Sequence, residues 1–148
     1  DQQIFLDLPK GRIKPPNNRY VLEDLFTILN TYTNIKYFAV SNVNYPEDLT
    51  IYIKVIPNRI ILVPKIESPT AVENIKKIID VIPTTEKMVM LDHDDLYSNL
   101  IKNKESSSKF TEYITILKEN CEKNNVTLLR TIGVIFSDEE KRTTQYIK

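Results

Sequence analysis

Short apolar runs alternate with segments of helical spacing along the chain, and this alternation is the feature that most limits the fold. Ile4-Phe5-Leu6-Asp7-Leu8-Pro9 reads as a strand ended by proline, and Lys10 to Arg19, with Pro15, Pro16, Asn17 and Asn18, reads as loop. From Tyr20 to Leu29 apolar residues fall at Val21, Leu22, Leu25, Phe26 and Leu29, the spacing of a helix face. Lys36 to Val43 predicts a second strand, and Pro46 opens a short helix where its missing N–H costs nothing. Arg59 to Pro64 predicts a third strand, continuously apolar after its arginine as strands buried on both faces are. Thr70 to Val81 places Val72, Ile75, Ile78 and Ile79 on one helix face, with Ser68-Pro69 at its start. Lys87 to Leu91 predicts a fourth strand. Asp94-Asp95 then begin a helix, with carboxylates suited to its positive end. A polar turn (Asn103 to Lys109), a long helix (Phe110 to Lys123) and a fifth strand (Val126 to Phe136) follow. Ser137-Asp138-Glu139-Glu140 has the pattern of a capping box on a last helix.

Five strands separated by helices predict an α/β fold of parallel βαβ units with right-handed crossovers. Two closures satisfy this. One is an incomplete (β/α) barrel; the other is an open five-stranded doubly wound sheet. Periodicity does not choose between them. The 148 residues give room for one core, and no repeat or internal boundary is visible, so 1–148 reads as a single α/β domain.

Composition removes several function classes. Two glycines, Gly11 and Gly133, cannot build a Walker loop, a dinucleotide fingerprint or a kinase glycine loop, which need backbone close to phosphate. One histidine, His93, and one cysteine, Cys121, cannot supply a zinc site of the Cys/His kind, and a hydrolase triad is a poor fit. Lysine plus arginine and aspartate plus glutamate each total 20, so the charge footprint of a nucleic-acid binder is lacking. No apolar run approaches the roughly 18 residues of a membrane span, and no signal-peptide pattern opens the chain. With a single cysteine, the expectation is a reducing, cytoplasmic setting and no nucleic-acid or membrane partner.

In both closures the chemistry belongs at the carboxyl ends of the strands. Strand one carries Asp7 and is followed by Lys10-Gly11-Arg12; strand two ends in Ser41-Asn42. Strand three leads to Lys65-Ile66-Glu67-Ser68, strand four to Asp92-His93-Asp94-Asp95, and strand five carries Arg130 and Thr131. Lys65 and Glu67 are two apart on extended chain and so face one side. If strands three and four are neighbours, Lys65, Glu67, Asp92 and Asp95 share a rim. One or two carboxylates with positions left for water and ligand suit Mg²⁺, and a lysine beside them can neutralise a developing enolate or phosphoryl charge. The plainer roles are solvated loop charges for Lys10 and Arg12, a helix cap for Asp94 and Asp95, and a loop histidine for His93.

Leu62-Val63-Pro64-Lys65-Ile66-Glu67-Ser68, Ala71-Val72-Glu73-Asn74-Ile75 and Met88-Val89-Met90 running to Asp95-Leu96 together resemble the phosphoenolpyruvate/pyruvate barrel superfamily. Pyruvate kinases carry a strand ending in K-I-E, a G-V-x-N-x-x-x-I helix and a strand ending in R-G-D-L. The 2-oxo-acid aldolases and the citrate lyase β subunit carry I-E-T, an A-V-x-N-I helix and N-D-L. Tyr37-Phe38-Ala39-Val40-Ser41-Asn42-Val43 resembles the pyruvate kinase A-x-S-F-V strand, and Asp7 to Ile13 is similar, more loosely, to its D-x-x-G-P-K-I-R segment. The resemblance spans about Phe5 to Phe136 and implies strands three to seven of a (β/α)₈ barrel.

It also implies roles. Glu67 and Asp95 match the pair that holds Mg²⁺ or Mn²⁺, and the metal grips a pyruvate-type 2-oxo acid. Lys65 matches the lysine that supports phosphoryl transfer. Asp7 matches the monovalent-cation aspartate, and Arg12, Asp92 and Thr131 are the substrate-binding candidates. Two departures stand out: His93 and Asp94 replace the R-G of R-G-D-L, and the chain is shorter than the roughly 250 residues of a whole barrel. The expected function is therefore a Mg²⁺-dependent lyase, aldolase or phosphotransferase acting through an enolate of a small anionic 2-oxo acid. The alternative is a non-catalytic, barrel-derived assembly module. Either one is completed by a homo-oligomer or by the remainder of the barrel.

Overall fold

The computed structural model describes residues 2–8 and 20–131. The strands are β1 (Ile4–Leu8), β2 (Ile35–Val40), β3 (Ile61–Ile66), β4 (Met88–Leu91) and β5 (Thr127–Arg130). The helices are α1 (Leu22–Thr31), α2 (Thr50–Val55), α3 (Pro69–Glu73), α4 (Ile75–Val81), α5 (His93–Lys102) and α6 (Lys109–Lys123), with a 3₁₀ turn at Pro46–Leu49 before α2. The five strands form one open parallel sheet in the order β1-β2-β3-β4-β5.

Sequential order has a consequence. Right-handed crossovers that all step in one direction carry their helices to one side of the sheet. The packing agrees. Phe38, Val40, Leu62, Val89 and Leu91 point into one large core with Leu25 and Leu29 of α1, Ile78 and Ile79 of α4, Leu96 and Leu100 of α5, and Phe110 and Leu117 of α6. Residues of opposite parity, Ala39, Ile61 and Val63 with Tyr37, Met88, Met90 and Leu129, form a second cluster that contains no described helix residue. The sheet thus has a helix-covered face and an inner face, as a segment of barrel wall does. β3 is buried at every residue, as its unbroken apolar run predicts.

Several boundaries differ from the sequence reading. The third strand runs to Ile66 and so includes Lys65. The Thr70–Val81 helix divides at Asn74, whose side chain donates to the Thr70 carbonyl at 3.0 Å and whose backbone leaves helical geometry. Asp92, and not Asp94 or Asp95, caps α5: its Oδ1 accepts from the Asp95 N–H at 3.3 Å. Arg12 with its loop, and the stretch from Ile132 through the expected last helix, lie outside the described residues. Among the described residues no helix is long and apolar enough to cross a membrane.

Leu96 is fully buried and locks α5, and with it Asp92 and Asp95, onto the sheet. Leu96→Ala is expected to lower unfolding free energy by about 2–5 kcal/mol in urea titrations with an unchanged slope.

Candidate metal centre

Register brings the polar residues together. Asp7 on β1 lies opposite Ala39 on β2, and Ala39 opposite Val63 on β3. Lys65 on β3 lies opposite Met90 on β4, and Met90 opposite Leu129 on β5. Stepping two residues along each strand keeps the same face. Asp7, Ser41, Lys65, Glu67, Asp92 and Thr131 therefore all belong to the inner face at the carboxyl end of the sheet.

Lys65 is the hub. Its Nζ is 3.1 Å from Glu67 Oε1, 3.4 Å from Asp92 Oδ2 and 3.6 Å from Asp7 Oδ2, and it donates to Ser41 Oγ at 3.4 Å. Glu67 is 4% exposed and Lys65 8%. Glu67 Oε2 also accepts from the Asn42 N–H at 2.6 Å, and its backbone carbonyl accepts from Asn99 of α5 at 2.8 Å. Asn42 adopts a left-handed φ of 56°, which asparagine tolerates better than most residues and which follows directly on β2. Asp92 is tied to β3 by its N–H, which donates to the Ile66 carbonyl at 3.1 Å.

Oxygen atoms of Glu67, Asp92 and Asp95 lie within 4.8 Å of one another. They can hold a metal ion. The set is all oxygen, from one buried, one half-buried and one exposed carboxylate, which suits a hard cation that keeps water or ligand positions. Of the sequence-predicted metal pair, both members are present. Asp92, expected to bind substrate, joins them.

The other expected residues fall as follows. Asp7 has the Lys65 ammonium beside it, so the chain itself supplies a positive charge where a monovalent cation is implied. Thr131 sits at the rim, with Oγ1 3.4 Å from the Leu91 carbonyl and 3.5 Å from His93 Nδ1. His93 is buried, and its Nε2 lies 2.9 Å from Asp94 Oδ1. Sequence reasoning assigned no role to Ser41, Asn42 or Asn99. Ser41 and Asn42 carried a signal, being polar residues at a strand's carboxyl end; Asn99 on α5 carried none.

Burial raises the Glu67 carboxyl above its ordinary value, and the Lys65 ammonium and Asn42 N–H offset only part of that. For Lys65 burial acts downward, but Glu67, Asp7 and Asp92 outweigh it, and its pKa is raised. The signs follow. A lysine with a raised pKa adds stability at all pH below its unfolded value, lost only as pH rises through the folded one. An acid with a raised pKa costs stability when ionised, and that cost is relieved as pH falls through the folded value. The Glu67 carboxyl resonance, followed by NMR, is expected to titrate with a midpoint above 4.5; a midpoint at or below that value contradicts the assigned environment.

No family model and no curated protein matches the chain. Solved structures do. RipC from Yersinia pestis superposes with a TM-score of 0.64 at 15% identity, over 88% of this chain and 63% of that one. The citrate synthase SbnG superposes with a TM-score of 0.55 at 16% identity, over 82% of this chain and 56% of that one. The likeness is one of fold, and this chain spans less than two thirds of either neighbour.

Proposed function

We propose that this chain is the metal-binding wall of a phosphoenolpyruvate/pyruvate-type barrel, and that it uses Mg²⁺ or Mn²⁺ to act on a small anionic 2-oxo acid. The observation that carries this reading is the convergence of Glu67, Asp92 and Asp95 oxygens at the carboxyl end of parallel strands, beside a buried lysine. Asp7, Glu67 and Asp92 lie against one ammonium, and Asp95 stands within 4.8 Å of Glu67 and Asp92, so the formal charge of the rim is negative. A divalent cation offsets most of that imbalance. Citrate synthase activity in the name of one structural neighbour is in keeping with carboxylic-acid chemistry on this fold.

Glu67, Asp92 and Asp95 would hold the divalent ion, which would supply charge withdrawal from the oxo oxygen of a 2-oxo acid and so favour its enolate. The chain's own residues do the rest. Asn42 and Asn99 fix Glu67 from two sides, which holds the metal ligand without reorganisation. Asp92 and Asp95 are set by the first turn of α5. Lys65 stays an ammonium, because three carboxylates hold its proton. It acts as a fixed positive charge beside the enolate and not as a Schiff-base nucleophile.

Oxalate mimics the enolate. Calorimetric titration of oxalate is expected to show binding with Mn²⁺ present and none with it absent. Glu67→Gln is expected to abolish the metal-dependent heat while circular dichroism stays unchanged. Unchanged binding in that variant would remove Glu67 from the site. Absence of any Mn²⁺-dependent binding in the parent chain would favour the assembly-module alternative.

A further inference from the structure

We infer that Ser41 is a substrate-binding residue of this site, donating its hydroxyl proton to a carboxylate oxygen of the 2-oxo acid; the inference rests on the metal-dependent reading above. Ser41 follows β2 directly and is 5% exposed. It lies on the inner face two residues beyond Ala39, beside Lys65, which lies two beyond Val63. Its hydrogen bond among the described residues is the one from Lys65 Nζ at 3.4 Å.

The direction of that bond is fixed by chemistry. An ammonium has three donors and no acceptor, so Lys65 donates and Ser41 Oγ accepts. The serine's own proton is therefore not spent on Lys65. A buried hydroxyl that accepts from a cation, and among the described residues has no acceptor for its own proton, is prepared for an anionic acceptor. Lys65 brings a fixed positive charge, and Ser41 an O–H donor, to one corner of the rim. An anionic carboxylate matches a positive charge and an O–H donor better than a neutral carbonyl group does, since hydrogen bonds to charged acceptors are the stronger ones. The selected class is thus a 2-oxo acid with a free carboxylate, in preference to the corresponding ester or amide.

The test is titration of oxalate into the Mn²⁺-loaded parent chain and Ser41→Ala, alongside titration of Mn²⁺ alone and a thermal melt. Loss of one hydrogen bond to a charged group corresponds to about a tenfold weaker oxalate Kd or more. Mn²⁺ affinity is expected to stay at the parent value, because Ser41 is not among the triad, and the melt checks that the variant is folded. Should Ser41→Ala fail to fold, Ser41→Cys keeps the volume with a weak donor and is expected to weaken oxalate binding at least threefold. Parent-like oxalate affinity in either folded variant overturns the inference while leaving the metal reading intact. Equal losses of Mn²⁺ and oxalate affinity also overturn it, since Ser41 would then only support Lys65. Absence of Mn²⁺-dependent oxalate binding in the parent overturns the metal reading, and this inference with it.

Discussion

The site depends on one buried ammonium. Lys65 stands between Asp7, Glu67 and Asp92, which come from or just after three different strands. Removing any of these charges from water costs several kcal/mol, and mutual attraction returns that only when the geometry is good. Without Lys65, three carboxylates would face one another across the rim. The lysine therefore allows acidic residues to gather at the end of a parallel sheet, and a gathered acidic rim is what a hard cation requires.

That arrangement exists because β3 is longer than its apolar run. The strand continues past Pro64 through Lys65 to Ile66, so the lysine sits on the sheet with a fixed direction. Parity does the rest: Ile66 turns into the helix-covered core, while Lys65 and Glu67 turn to the inner face. α5 completes the site. Its cap, Asp92, is hydrogen-bonded to β3 through the Ile66 carbonyl, and its first turn carries Asp95. The helix is held by Leu96 and Leu100 in the core, so packing on one face sets ligand positions on the other.

Much of the fold was legible in the sequence because β-branched runs and helical spacing are local signals. All five strands and the long α6 follow from them. The break at Asn74 was not, since the apolar face of that helix continues through it; the interruption lies in the Asn74 backbone and its side-chain bond to Thr70. Sheet order was not legible either, because it is set by crossover direction, which leaves no trace in periodicity. For the site, Glu67, Asp95 and Lys65 could be picked out by spacing and by resemblance. Asp92 was placed with the substrate because its two-residue phase on β4 and its closeness to Glu67 appear only once β3 and β4 pair. Asn99 was invisible for a similar reason: it reaches Glu67 across 32 residues of chain.

Fold alone, shared at 15–16% identity with longer chains, does not assign chemistry. The claim that does is the cation site at Glu67, Asp92 and Asp95. It is tested most directly by anomalous diffraction from crystals of this chain soaked in Mn²⁺. The account predicts a peak within coordination distance of all three carboxylates, with Lys65 still paired to Asp7. A peak elsewhere, or none at the triad with the ion in excess, would contradict it.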